Sequence, residues 1–222
     1  MIGRIVDLSV TVDVNTKSPP STDMKVELTR YNRGPGFWQV TALAQSLHTG
    51  SHIDSALHCY ENGGTTAEIP LDRVIGEAFV LDCSHVEAEQ PIEVRDLERV
   101  AAGLQEDDIL IVRTDWTDRS WGRFPEFFTR SPYLTPDAAE WIISRRPRAV
   151  GFDFFEEYHA RRPDFTSEEF ICHRILLGAG VPMLEQITGL GQIGRPRFDF
   201  FAPFYKLGGV DGAPARYFAI VP

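Results

Sequence analysis

The stretch His48-Thr49-Gly50-Ser51-His52-Ile53-Asp54-Ser55-Ala56-Leu57-His58 limits what this chain can fold into more than any other. It holds three of the six histidines in 222 residues, together with an aspartate. Imidazole and carboxylate are the donors of zinc, manganese and iron sites. Counted from His48, the other three lie at even offsets, so on a strand all four would point the same way. On a helix Asp54 would point about 240° away from His48, at ~100° per residue. A straight strand, however, holds His48 and His52 ~13 Å apart at ~3.3 Å per residue, which is too far for one ion with bonds of ~2.1 Å. The stretch is therefore expected to be a strand end that folds back, with Gly50 supplying the backbone freedom. The reading is a metal-binding turn rather than a run of surface histidines.

The rest of the chain supports a single domain over residues 1–222. An apolar fraction of 43%, with 11% aromatic, is enough for a sizeable core. A formal charge of −10 with no basic stripe argues against nucleic acid and anionic membranes. The short clusters Arg145, Arg146, Arg148 and Arg161, Arg162 are expected to flank helices or to meet acidic substrates. Cys59, Cys83 and Cys172 form no CxxC pair and leave one thiol over, which fits a reducing compartment and buried spectator thiols. Neither a signal-peptide core nor an apolar run of ~18 residues is present, so the expected location is cytoplasmic.

Alternation and turn residues place strands over 2–12, 24–31, 37–47, 78–83, 108–113, 149–152, 181–185, 198–207 and 216–221. Gly34-Pro35-Gly36 joins the second and third into a hairpin that leads into the histidine turn. Helices are expected over 94–102, over 136–146 with Thr135 as N-cap and Pro136 at the first position, and over 167–177 behind a Thr166/Glu169 capping box. The fold class is α/β, a mixed sheet or barrel-like core with about three helices. Gly189-Leu190-Gly191-Gln192-Ile193-Gly194 matches GxGxxG, but Arg195-Pro196-Arg197 blocks the helix that a dinucleotide site needs.

A second donor set lies further on. His173 sits on the apolar helix, and Glu185 follows twelve residues later behind Val181-Pro182-Met183-Leu184. A buried carboxylate is costly unless paired or metal-bound, so His173 and Glu185 either share a cation or hydrogen-bond each other. Together the histidine stretch, His173-Arg174-Ile175-Leu176-Leu177-Gly178 and Glu185 resemble the metal-dependent cyclase family of hydrolases. That family includes bacterial kynurenine formamidases and isatin hydrolases. Ile5-Val6-Asp7-Leu8-Ser9, Asp108 to Asp115, Gly151-Phe152-Asp153 and Gly209 to Arg216 extend the likeness over nearly the whole chain.

The resemblance implies a swivelling β/β/α fold and a metal held by His48, His52 and Asp54. It also implies a possible second ion on Asp54, His173 and Glu185, His58 as proton carrier, and a homodimer or higher homo-oligomer. The ions would be zinc or manganese, one or two of them. Ser51 stands where the family usually has Thr, and Ala56 where it usually has Pro. The early loop Ser18-Pro19-Pro20-Ser21-Thr22 lacks the family's stacking Trp, and Phe154-Phe155-Glu156-Glu157 replaces a small Ser-containing loop. The metal site is thus retained while the pocket has changed. Phe37, Trp38, Phe154 and Phe155 are the expected pocket residues. The expected activity is hydrolysis of a non-peptide C–N bond in a small aryl formamide or cyclic amide. A lactone hydrolase or cyclase is the alternative on the same site, and a non-catalytic metal- or ligand-binding protein the alternative of another class.

Overall fold

The computed structural model describes residues 3–221, so Ile2, with which the expected first strand begins, lies outside them. That strand is shorter than expected, β1 being Arg4–Asp7. β2 (Glu27–Asn32) and β3 (Gln39–Ala44) form the expected hairpin, exposed along its whole length. It leads to β4 (His52–Asp54), every residue of which is buried. β5 (Ile75–Asp82) follows, then the short β6 (Pro91–Ile92), α1 (Val94–Val100) and β7 (Ile109–Arg113). The short helices α2 (Trp116–Ser120) and α3 (Glu126–Thr129) come next, then β8 (Tyr133–Leu134) and α4 (Pro136–Ser144). The Thr135 hydroxyl accepts from the Ala138 N–H, the N-cap that the sequence foretells. β9 is Ala149–Phe152, α5 is Ile171–Gly178 and β10 is Met183–Glu185. The Thr166/Glu169 capping box forms, but it caps a 3-10 turn at Ser167–Glu169, and the helix proper starts two residues later. β11 (Arg197–Phe201), β12 (Gly212–Pro214) and β13 (Phe218–Val221) complete the chain. At Leu190–Gln192 the GxGxxG segment makes one 3-10 turn and no α-helix, which removes the dinucleotide reading.

Nine strands form one mixed sheet in the order β1-β13-β11-β5-β7-β9-β10-β4-β12. The run β5-β7-β9-β10 is parallel, and the flanking pairs are antiparallel. The sheet curls until Ser9, just beyond β1, bridges Ile187, just beyond β10. Side-chain alternation sorts the core into two halves. Ala78, Val80, Ile109 and Ile111 join Ile53, Phe198, Phe200 and Tyr217 inside the curl. Phe79, Leu81, Leu110 and Val112 face outward, where Leu97, Phe127, Ile142 and Leu176 of the helices cover them. Strands covered on both faces read as near-continuous apolar runs, which is how β7 and β9 appear in the sequence. No helix among the described residues is long and apolar enough to cross a membrane.

Candidate metal centre

Strand alternation in β4 turns Ile53 into the inner core and His52 and Asp54 to the opposite face. Its pairing with β10 sets Glu185 directly across from His52, so a carboxylate and an imidazole stand side by side on one surface. On its other edge β4 pairs with β12, Gly212 lying opposite Asp54. The chain folds back just before β4, at Gly50, where φ is +70°. A Cβ at Gly50 would lie 2.2 Å from Val12 Cγ2, so any larger residue is strained there in both backbone and packing. The Ser51 hydroxyl locks the turn, donating to the Gln186 carbonyl at 2.8 Å and accepting from the Val10 N–H at 3.0 Å. The fold-back lays the His48 ring over Gly212, where a Cβ would come within 2.7 Å of the imidazole.

The donors converge on Asp54, whose two oxygens face different partners. Oδ1 lies 2.7 Å from His48 Nδ1 and 3.1 Å from His52 Nε2, whereas Oδ2 lies 3.7 Å from His173 Nε2. Candidate donor atoms of Asp54, His173 and Glu185 all lie within 4.8 Å of one another, and so do those of His48, Asp54 and His58. His58 thus lies within reach of the same donors, though of the two only His48 touches Asp54 directly, and the two rings stack with centroids 4.0 Å apart. The 3-10 turn Ala56–His58 brings it there, and the Tyr60 hydroxyl pins that loop to α5 by donating to the Arg174 carbonyl at 2.8 Å.

One residue without an assigned role in the sequence reading stands at the centre. Asp211 Oδ2 lies 2.9 Å from His48 Nε2 and 3.3 Å from His58 Nδ1. Its stretch reads as a turn because β12 is too short and too rich in Gly and Pro to show an alternating pattern. The Ser55 N–H and hydroxyl both donate to the Asp211 carbonyl, which holds its side chain over the two rings.

The electrostatics follow from burial and from these contacts. Burial works against a charged His48, but Asp54 and Asp211 outweigh it and push the imidazole up to about 9. Burial dominates at His58 and lowers it despite Asp211. Asp54 is driven well below the usual carboxylate range, His52 and His48 overcoming the cost of its burial. Glu185 is pushed well above that range, by burial and then by the carboxylates of Glu156 and Asp54.

Two features show that these residues fit a cation. The His52 Nδ1 lies 2.7 Å from the Gly50 carbonyl, which can only accept, so Nδ1 carries the proton. Nε2 then faces a carboxylate oxygen 3.1 Å away, a contact that a proton on Nε2 or a cation held by both atoms would satisfy. In addition, Asp54 Oδ2 and Glu185 Oε1 are buried with no hydrogen-bond donor among the described residues, and such oxygens are costly unless compensated.

Beside the donors lies a cavity of about 240 Å³, lined by His48, His58, Phe155, Phe165, Phe170 and the early loop at Pro19, Ser21 and Thr22. Of the expected pocket residues only Phe155 reaches it. Phe154 is fully buried and packs edge-to-face on Phe152 in the outer core, because the chain leaving β9 turns it inward. Phe37 and Trp38 sit at the hairpin end, 89% and 49% exposed, and do not line the cavity. Phe165 and Phe170 supply the aromatic wall instead. The arginine clusters are structural: Arg148 donates to the Asp107 and Asp72 carbonyls, and Arg161 to the Pro132 carbonyl. All three thiols are unpaired, with Cys83 and Cys172 buried.

Known proteins resemble this chain in both sequence and fold. The sequence matches the Cyclase family, described as "Putative cyclase", over residues 6–156. A kynurenine formamidase of Geobacillus thermodenitrificans is 26% identical over 222 residues, covering 97% of each chain. One from Bacillus thuringiensis subsp. konkukian is also 26% identical, over 89% of this chain and 88% of its own. A solved structure described as a potential metal-dependent hydrolase with cyclase activity superposes with a TM-score of 0.76 at 25% identity, covering 99% of this chain and 98% of that one. The fold is also that of isatin hydrolase A from Labrenzia aggregata, with a TM-score of 0.82 at 24% identity over 98% and 93% of the two chains. With more than half of its length matched and the donors of both sequence motifs gathered around one aspartate, the chain belongs to the Cyclase family.

Proposed function

We propose that this protein is a metal-dependent hydrolase that cleaves a non-peptide C–N bond in a small aryl formamide or cyclic amide. The observation that carries the reading is Asp54, buried between two donor groups with one oxygen turned to each. The kynurenine formamidase relatives supply the bond type. His48, His52 and Asp54 would hold one divalent ion, and Asp54, His173 and Glu185 a second. Such an ion, when bound, lowers the pKa of a water toward ~7 and polarises a carbonyl.

The chain's own residues do the remainder. His58, which burial keeps neutral, takes the proton of the attacking water on Nε2 and returns it to the leaving nitrogen. Asp211 holds the opposite nitrogen and so fixes the ring's tautomer and angle. Phe155, Phe165 and Phe170 form an apolar wall against which a planar ring can lie. The early loop that forms another part of the wall contributes Pro19, Ser21 and Thr22 and no aromatic ring. This argues for a substrate held from one face, smaller than one stacked on both.

The test is purified protein with Zn²⁺ or Mn²⁺, assayed on formylated anilines, isatin and simple lactones. Turnover of the amides that disappears on chelation supports the reading. Turnover of lactones alone transfers it to ester chemistry on the same site. No metal-dependent turnover of any of them rejects it.

A homodimer belongs to the same reading. The hairpin carries Leu28 opposite Leu43 and Tyr31 opposite Val40, all exposed, with Phe37 and Trp38 beyond them. An apolar arm of this kind is a surface for a second copy of the chain.

A further inference from the structure

We propose that the substrate is an uncharged aromatic amide, and that the cavity excludes relatives of it that carry a carboxylate or an ammonium group. The wall of Phe155, Phe165 and Phe170, with the neutral hydroxyls beside it, does the selecting. The proposal rests on the metal-dependent reading above and narrows the substrate of that same site.

Three segments bring the wall together. Phe155 comes from the chain leaving β9, Phe165 stands just before the Thr166 cap, and Phe170 just before α5. Phe165 meets Phe170 edge-to-face with centroids 5.4 Å apart, and Phe170 stacks on the His173 ring at 3.8 Å. The wall is therefore held in place before a substrate arrives. Ser21, Thr22 and Ser167 add hydroxyls to the lining, and Gln186 adds an amide. Such groups can hydrogen-bond a polar substituent but carry no charge to neutralise one. Apart from the donors of the metal centre and His58, no charged side chain lines the cavity among the described residues. Its volume of about 240 Å³ exceeds the roughly 150 Å³ that holds benzene, which leaves room for a formamide and one small substituent.

The cations nearby are engaged elsewhere. Arg161 gives its guanidinium to the Pro132 carbonyl and to the faces of Tyr133 and Tyr158. Arg162 pairs with Glu169 at 2.6 Å, and Arg174 donates to the Cys59 carbonyl and lies over the Tyr60 ring. Lys17 and Lys25 stand across a strand bridge at the base of the early loop, and neither lines the cavity. The exposed acids Asp23, Asp164 and Glu168 adjoin the lining residues Thr22, Phe165 and Ser167 in the chain, which disfavours an anion further. A carboxylate brought into the cavity thus loses its water without gaining a partner. An ammonium fares no better, because Asp54 and Glu185 are already assigned to the ions. Burying a charge without a partner is costly in either case.

The experiment measures kcat/KM of the Zn²⁺- or Mn²⁺-loaded wild type on formanilide and on two matched pairs. One pair is para-formamidobenzamide and para-formamidobenzoate; the other is para-hydroxymethyl formanilide and para-aminomethyl formanilide. Members of a pair differ in charge at nearly constant size, so a steric filter lowers both and a charge filter only one. The neutral member of each pair is expected to be favoured by about 100-fold or more. Thr22→Lys places a cation at an exposed position of the wall. It should narrow the carboxylate pair about 10-fold at low salt and lose that gain in ~1 M salt, a dependence that altered folding would not produce. Equal turnover within the pairs overturns the proposal. So does loss of both neutral members while formanilide is still cleaved, since size would then be the filter. Wild type that cleaves none of these amides, formanilide included, rejects the hydrolase reading itself and the proposal with it, a result distinct from either.

Discussion

At the scale of single residues, the centre depends on two that donate nothing to an ion. Gly50 adopts a left-handed φ of +70° with Val12 in the space of its missing Cβ. Gly50→Ala should therefore cost about 1–3 kcal/mol in backbone strain and displaced packing, read as a lower urea midpoint, together with reduced ion uptake as His48 loses its place. Asp211 acts through the rings it touches. Asp211→Asn should lower kcat by about 10- to 100-fold on any amide the enzyme turns over, with ion content unchanged. A full complement of activity in that variant would show that His58 needs no orienting partner. The sequence made the donor residues legible because imidazole and carboxylate are rare in such density. It hid Asp211, since an isolated acid in a Gly-rich stretch looks like any turn residue, and it concealed that Phe155 reaches the cavity while Phe154 stays in the core.

At the scale of elements, local chemistry and tertiary packing share the work unequally. α4 is marked by its own residues, Thr135 at the cap and Pro136 behind it. Thr135→Ala should cost about 1 kcal/mol of stability, seen in thermal unfolding, and leave ion binding untouched because α4 packs on the outer face of the sheet. β9 was readable to the residue, since it is buried on both faces and bounded by arginines and an acid. β12 was not, because Gly212-Ala213-Pro214 has no strand propensity and is held in the sheet only by β4. The short helices α2 and α3 also escaped, being a single turn or little more and fixed by contacts such as the bond from the Trp116 indole to the Phe127 carbonyl. The strand expected to reach residue 207 stops at Phe201, two residues before Pro203, as a proline without an N–H requires.

For the whole molecule, the cation and the hairpin each have a measurable weight. An ion that binds only the folded chain adds about 2.7 kcal/mol when present at a hundred times its Kd. Chelation should therefore lower the melting temperature, and restoring Zn²⁺ or Mn²⁺ should recover it. An unchanged melt would mean that the buried oxygens are compensated by protein alone. On the proposed dimer, replacing Trp38 and Leu43 together with serine should halve the mass measured by light scattering and leave the monomer folded, because no hairpin residue is in either core cluster; a mass already monomeric in the wild type removes the dimer.

The position of β4 in the sheet has a consequence in time. It is made early in the chain, yet it is clasped between β10 and β12, whose residues are synthesised more than a hundred positions later. A nascent chain emerging from the ribosome thus carries His48, His52 and Asp54 long before it has anywhere to put them. Until Pro214 has emerged, these side chains are free to capture stray metal. The centre can close only once both late strands are present, so its assembly waits on the end of the sheet.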